Sequence, residues 1–236
     1  MATFEAQVQA LTSLTLSGTS TPTQNELSQF LKDGVIDVTN KWLSIRPEDI
    51  SKFMKVSSEQ SSNDSLDING AKIISVVRED GTDNQWRECK EISVSQQYIV
   101  TDTTSLHYAS KFNSVFMVAD NGKISVFPSP GSDPDSFKVY YVNNVPVDKS
   151  LASLIYTHSD IGYFVDDKVY LVVIYAAIKT LEAKLSDSAA IEEDSELVQS
   201  IIPVLQVLQN DYNSSFLPDR QIEQMRSQMS QQQGQR

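Results

Sequence analysis

Apolar residues recur at helical spacing over residues 24–43. They are Leu27, Phe30, Leu31, Val35, Val38 and Trp42. Just before them, Thr23 and Glu26 have capping-box spacing, in which each side chain accepts a hydrogen bond from the other residue's N–H. This pattern predicts a helix over residues 24–43. Pro47, followed by two acidic residues, predicts the start of a second short helix.

Between residues 66 and 147 the helical pattern gives way to short apolar runs separated by polar turns. The runs span residues 73–77, 86–92, 114–119, 123–127 and 137–142. Asp120, Asn121 and Gly122 separate two of these runs, which is the strongest hairpin signal in the chain. The runs together predict one small antiparallel sheet of about four to six strands.

Helical spacing returns in the C-terminal part of the chain. Residues 169–185 are apolar on nearly every side, which predicts a helix buried in the core. A second helix is predicted over residues 191–212, and Pro203 is expected to kink it.

These elements predict an α+β fold in which N-terminal and C-terminal helices form a bundle with an antiparallel β insert. We expect a single domain over residues 1–217. Its parts are a helical segment over 24–55, the β insert over 66–147 and a helical segment over 165–213.

The two ends of the chain are predicted to be arms. Residues 1–22 begin as a short amphipathic stretch and become rich in serine and threonine, as in a linker. Residues 218–236 are polar, and their apolar residues are limited to Ile222, Met225 and Met229. Such segments bury too little apolar surface to offset their ordering entropy alone. We expect the tail to bind a partner ring through these three residues, the alternative being that both ends fold back on the domain.

The composition limits the possible partners. The 236 residues include 31 acidic and 19 basic ones, giving a net charge of −12. This charge disfavours tight binding to nucleic-acid phosphates, which needs clustered lysine and arginine. The longest apolar run, residues 169–178, is about half a bilayer span, and nothing resembles a secretory signal. We expect a soluble protein without a membrane role, in which the lone Cys89 is a packing residue.

The chain lacks the usual signs of catalysis in its sequence. Its two histidines, His107 and His158, have no partner at metal-ligand spacing, and no phosphate-binding or nucleophile motif occurs. His158, beside Asp160, is the better site candidate, yet a surface or turn histidine is the simpler interpretation. Asp166 and Asp167 form a carboxylate pair, which more simply complements a helix N-terminus. We expect no enzyme activity, no cofactor and no metal.

Three segments carry a resemblance to a known group of proteins. They are MATFEAQV at residues 1–8, TQNELSQFLKDG at 23–34 and VDDKVYLVVIYAAIKTLE at 165–182. These segments resemble tailed-phage virion structural proteins of the marine and cyanophage type. The helix–sheet–helix order is similar to that of head–tail adaptor proteins, also called connectors, which lie as a ring beneath the portal.

The resemblance implies a structural role in the phage neck. The chain would form a ring, twelve-fold as in adaptors, that joins the portal protein to a tail or nozzle protein. DNA would pass through this ring during ejection without specific binding. The expected location is the neck region of the virion, and the host cytoplasm during assembly.

Acidic residues are candidates for the wall of the DNA channel, where they would repel phosphates. The candidates are Asp187, Glu192, Glu193, Asp194 and Glu196. The alternative is an acidic exterior that maintains solubility. Two other functions stay open at this point: a different tail, baseplate or fibre-attachment subunit, or a monomeric module that binds a glycan or peptide.

Overall fold

The chain forms two compact units. The computed structural model describes residues 2–63, 65–68, 70–119, 122–189 and 195–216. The helical unit consists of Met1–Asp49 with Val145–Arg236, and the β unit is Ile50–Asn144. Helices combined with mostly antiparallel strands confirm the predicted α+β class.

Five α-helices lie in the described part of the chain. They are α1 (Phe4–Thr12), α2 (Gln24–Ile45), α3 (Gln97–Thr101), α4 (Val169–Ala189) and α5 (Ser195–Ser214). Short 3₁₀ helices occur at Pro47–Phe53, Val94–Gln96 and Asp166–Lys168. The helices predicted over 24–43 and 169–185 are confirmed as α2 and α4, and the short helix at Pro47 is confirmed as a 3₁₀ helix. The helix predicted over 191–212 is α5, with Pro203 inside it.

Helix α2 begins at the predicted capping box. The Glu26 N–H donates to Thr23 Oγ1 at 3.3 Å, and the Thr23 N–H donates to Glu26 Oε2 at 2.7 Å. These bonds satisfy donors that a helix N-terminus would otherwise leave free. The Thr23 contacts also lower the pKa of Glu26, because they stabilise its ionised form.

Helix α4 is the central element of the helical unit, since α1, α2 and α5 all pack against it. Leu171, Val172, Ala176, Ala177 and Leu181 on this helix are completely or almost completely buried. The buried helix predicted over 169–185 is therefore confirmed.

The N-terminal segment is part of the helical unit, so the predicted arm over residues 1–22 is wrong. Phe4 and Val8 on α1 are completely buried. The N–H groups of Phe4 and Glu5 donate to the carbonyls of His158 and Tyr156 at 2.8 and 3.0 Å. Burial of the apolar side of α1 against α4 offsets its ordering cost, so the end folds back on its own chain.

Within the described residues, seven strands form two sheets. The strands are β1 (Met54–Val56), β2 (Ile73–Glu79), β3 (Trp86–Glu88), β4 (Lys90–Glu91), β5 (Val115–Val118), β6 (Ile124–Phe127) and β7 (Phe137–Val142). Their order is β1-β7-β2-β3 in the first sheet and β4-β5-β6 in the second. Met54, expected at the end of a helical segment, instead begins β1 and pairs with Val142 on β7.

The prediction of one antiparallel sheet is wrong at the run over 86–92. This run changes partners at Cys89, whose N–H donates to the Val76 carbonyl on β2 at 2.8 Å. The next N–H, that of Lys90, donates to the Ser114 carbonyl at 3.1 Å, and β4 then runs parallel to β5. Successive N–H groups of a strand point to opposite sides, so one residue is enough to change the sheet.

The predicted hairpin is confirmed as the antiparallel pair β5 and β6, in which Val118 lies opposite Ile124. Asp120 and Asn121 of its turn lie outside the described residues, and Gly122 has a positive φ of 76°. Residues from both sheets, among them Val76, Phe116, Val126, Phe137 and Val139, form the core of the β unit.

Candidate interaction surfaces

Helix α5 packs on α4 through one side only. Ile201, Leu208 and Tyr212, spaced seven and four residues apart, are buried on that side. The Tyr212 hydroxyl donates to Asp37 Oδ2 on α2, and the Asp37 carboxylate pairs with Lys41 at 2.9 Å. Burial, together with this hydrogen bond, raises the pKa of Tyr212. The C-terminal half of α5 is thus held against both α2 and α4.

The exposed part of α5 between Glu196 and Asp211 is uncharged. Pro203, Val204 and Val207 are exposed along one flank of the helix, and we call these three residues the α5 surface, whereas Ile202 is exposed on the other flank. Val207 keeps 58% of its surface accessible. The sequence between Glu196 and Asp211 contains no charged residue, and the exposed polar neighbours are glutamine, serine and asparagine. Depletion of charge combined with exposed apolar side chains is typical of the core of a protein–protein interface.

A second apolar surface lies in the β unit between the 3₁₀ helix Val94–Gln96 and strand β5. Six large apolar side chains are exposed within 19 residues: Val94, Tyr98, Ile99, Leu106, Tyr108 and Phe112. We call these six residues the β-unit surface. Leu106 is fully exposed, and Tyr98 is 81% exposed. Within residues 94–112 the only charges are those of Asp102 and Lys111, which cancel.

Buried residues hold this segment in place. Val100 and Ala109 belong to a small apolar cluster with Val115, Met117 and Phe127. The Ala109 N–H donates to the Val100 carbonyl at 2.9 Å, which ties the two ends of the intervening loop together. The six exposed side chains therefore extend from a backbone that is held in place. Their smaller neighbours Val100 and Ala109 are buried in the cluster, whereas the six large side chains are not.

A groove of about 430 Å³ lies beside β4 at this surface. Its apolar lining consists of Ile92, Ile99, Val100, Leu106 and Val115. Lys90, Glu91 and His107 add polar groups, and the opposite charges of Lys90 and Glu91 balance. The groove is large enough for several apolar side chains of a partner.

The histidine and cysteine named in the sequence lie in local structural environments. The His158 N–H closes a turn on the Ile155 carbonyl at 3.1 Å, as the turn interpretation predicted, and its Nδ1 is buried 3.7 Å from Asp148 Oδ2, beyond hydrogen-bond distance. The pKa of Asp148 is lowered, mainly because the Ser150 hydroxyl donates to its carboxylate. Cys89 is buried and donates to Ser114 Oγ at 3.2 Å, and burial raises its pKa to about 11. This environment confirms Cys89 as a packing residue.

One group of described carboxylates has metal-ligand spacing. Oxygen atoms of Glu79, Asp83 and Asp133 lie within 4.8 Å of one another. Glu79 accepts hydrogen bonds from the N–H and hydroxyl of Ser136 at 3.1 and 3.0 Å. Burial and the charge of Glu79 raise the pKa of Asp133. Because donors of the protein already satisfy Glu79, the geometry does not by itself call for a metal.

Most of the sequence-predicted site residues lie outside the described part of the chain. This holds for Ile222, Met225 and Met229 of the tail, for residues 192–194, and for the Glu196 side chain. The remaining candidate, Asp187, is described and forms an ion pair with Lys184 at 3.4 Å. Neither apolar surface was predicted from the sequence, although the uncharged run in α5 is a signal that could have located the first.

No protein-family model and no curated protein matches this chain. Among the described helices, none combines the length and apolar character that a membrane span requires.

Proposed function

We propose that this chain is a structural virion protein of a tailed phage, and that it forms the head–tail adaptor ring between portal and tail. The observation that carries the assembly role is the α5 surface. A chain of net charge −12 has a helix whose exposed residues between Glu196 and Asp211 are all uncharged and include the apolar Pro203, Val204 and Val207. Such a surface costs free energy in water, about 25 cal/mol for each Å² of apolar area, and contact with a partner recovers it.

A second subunit of the same protein is the partner that the charge pattern favours. Two copies of an acidic protein repel each other over most of their surfaces. An uncharged contact avoids that repulsion, so it is the part of the surface where copies can approach. Closed rings are the usual outcome when such contacts repeat with rotational symmetry.

The position in the virion rests on the sequence resemblance of residues 1–8, 23–34 and 165–182 to phage structural proteins. In this proposal the ring is twelve-fold, binds the portal protein and a tail or nozzle protein, and lets DNA pass. Glu192, Glu193, Asp194 and Glu196 are the proposed channel wall, whereas Asp187 is already partly neutralised by Lys184.

The groove of the β unit favours one second candidate, a monomeric module that binds a peptide. Its apolar lining beside the short strand β4 fits the way in which extended peptides bind at sheet edges. The two candidates differ in the state of the purified protein, because the module stays a monomer at every concentration.

Native mass spectrometry of the wild-type chain and of Val207→Arg tests the assembly role. We expect concentration-dependent oligomers from the wild type, and loss of these oligomers when a charge is placed on the α5 surface. Asn40→Arg is the matched control, because Asn40 is exposed on α2 and the change adds the same charge elsewhere. Equal oligomerisation of both variants would contradict the proposal. Labelling of the protein in intact phage particles would then show whether it lies in the neck or in the tail, baseplate or fibres.

A further inference from the structure

Two exposed apolar surfaces of the described chain are built from segments that have no net charge. The α5 surface lies in a run without charged residues, and residues 94–112 carry one negative and one positive charge. Both segments thus have zero net charge, so the whole net charge of −12 lies elsewhere in the chain. The two surfaces belong to different units of the fold.

The two surfaces differ in shape. The α5 surface is an exposed flank of a helix, on which Pro203 lies nearly opposite the buried Ile201 and Val207 lies about 100° around the axis from the buried Leu208. The β-unit surface contains the groove of about 430 Å³ beside Leu106. A helix that places its apolar side chains in an apolar groove is a recurring mode of protein recognition.

We propose that the α5 surface of one copy docks on the β-unit surface of the next copy, with Val207 entering the groove beside Leu106. This inference rests on the proposed function, in which copies of the chain assemble with one another. Each copy then uses two different surfaces, so the contact repeats head to tail and closes into a ring when the rotation allows it. A contact between two α5 surfaces would instead form a two-fold dimer and stop there.

Leu106 is the residue that gains most from this contact. Its side chain is fully exposed, and it lines the groove with Ile99. A leucine in this position loses its contact with water only when a partner covers it. Val207 is the matching residue on the helix because it is more exposed than Ile202 and Val204, the other exposed branched side chains described on α5.

Two charge variants test the pairing. Val207→Arg disables the α5 surface and leaves the β-unit surface intact, whereas Leu106→Arg does the reverse. We expect each variant alone to be monomeric in sedimentation experiments. An equimolar mixture is expected to form a one-to-one dimer and nothing larger, because only one productive contact remains in it.

Controls and folding checks accompany the two variants. Asn40→Arg and Gln85→Arg place the same charge at exposed positions of the helical unit and the β unit, and both should assemble like the wild type. Circular dichroism and thermal unfolding establish that the variants fold. The substituted side chains are exposed, so we expect unchanged melting curves.

Cross-linking identifies the contact directly. Two variants, Val207→Cys and Leu106→Cys, are mixed and treated with a short bismaleimide. Their cross-linked products are then mapped by peptide mass spectrometry. The native Cys89 is buried, with a pKa raised to about 11, so it does not compete. The expected main product joins position 207 of one copy to position 106 of another.

The outcomes separate the inference from the proposed function. If Leu106→Arg assembles like the wild type while Val207→Arg does not, or if 207–207 products dominate, the pairing is overturned and self-assembly stands. A wild-type chain that stays monomeric at about 1 mM and gives no cross-link between copies overturns both.

Discussion

Gly34 allows α2 and α4 to approach closely. A Cβ atom at this position would lie 3.0 Å from Tyr175 Cδ1 and 3.3 Å from Val172 Cγ1. In the sequence this glycine looks like a weak point in a helix, since glycine has low helix propensity. The packing gives it a positive role, because any larger residue must displace two side chains of the central helix.

We therefore expect Gly34→Val to lower the free energy of unfolding by about 1–3 kcal/mol, as overpacking of a core does. Gly18→Ala is the control, since a Cβ there would meet nothing within 4 Å. This control should change stability by about 0.5 kcal/mol or less. Urea unfolding of both variants provides the measurement. Equal stabilities would show that the α2–α4 contact adjusts without cost.

Tyr212 links α5 to α2 through its hydrogen bond to Asp37. Lys41 lies 4.7 Å from the centre of its ring and also pairs with Asp37, so the carboxylate retains a partner when the phenol is removed. Tyr212→Phe is expected to lower the free energy of unfolding by about 1.5–3 kcal/mol, the usual range for hydrogen bonds to charged groups.

The same residue predicts a pH dependence. The pKa of Tyr212 is raised in the folded state, mainly by burial, so the unfolded chain releases this proton first as the pH rises. Its contribution to stability is complete below the ordinary tyrosine pKa of about 10 and is lost at higher pH. The unfolding free energy of Tyr212→Phe should consequently fall less steeply above about pH 10 than that of the wild type. Parallel slopes would contradict this assignment.

At the scale of elements, sequence patterns predicted those features whose interacting residues are close together in sequence. The capping box at Thr23, the hairpin of β5 and β6, and strand β7 follow from residues close together in sequence, and all are confirmed. The change of partner at Cys89 depends on β2 and on Ser114, which are distant in sequence. A local sequence pattern does not indicate which distant strand a run will pair with. The division into two sheets therefore could not be predicted.

Helices α1 and α5 illustrate the same limit in opposite directions. An amphipathic pattern gives the apolar side of a helix but not whether another element covers it. Helix α1 was expected to be an arm and is covered by α4, whereas the apolar Val204 and Val207 on α5 are exposed. The candidate interaction surfaces depend on this missing information, which explains why the sequence did not reveal them.

Burial of α1 leads to a prediction at the same scale. Phe4→Ala should lower the free energy of unfolding by about 3–5 kcal/mol, because it leaves a cavity at a completely buried position. Leu11→Ala on the same helix is the control, since Leu11 is exposed, and it should cost about 0.5 kcal/mol or less. Thermal unfolding of both variants compares the two roles. A small effect of Phe4→Ala would restore the arm interpretation.

At the scale of the whole molecule, the tail and the neutral surfaces have separate roles in the proposed ring. The tail over residues 218–236 is proposed to bind a partner ring through Ile222, Met225 and Met229, while the neutral surfaces join copies of the chain. Deletion of residues 218–236 should leave self-association unchanged and abolish incorporation into particles. Sedimentation and infectious titre measure the two effects. Wild-type titre from the truncated chain would remove the tail from the proposal.

Salt distinguishes a neutral contact from one built on ion pairs. Copies of a chain with net charge −12 repel each other at long range, and salt screens this repulsion over a Debye length of about 8 Å at physiological ionic strength and about 3 Å at 1 M. A contact between neutral apolar surfaces contains no ion pairs that salt could weaken. Added salt therefore reduces only the repulsion between copies. We therefore expect self-association to strengthen between about 0.05 and 0.5 M NaCl, as sedimentation equilibrium would record.

The direction of this salt effect depends on the chemistry of the contact. Ion pairs between copies would be screened as well, and association would then weaken with salt. Val207→Arg serves as the control, because a variant without the contact should stay monomeric across the whole range. Weaker wild-type association at high salt would move the contact away from the α5 surface and toward charged residues elsewhere. Stronger association would be the behaviour expected of an acidic subunit that assembles through its uncharged surfaces.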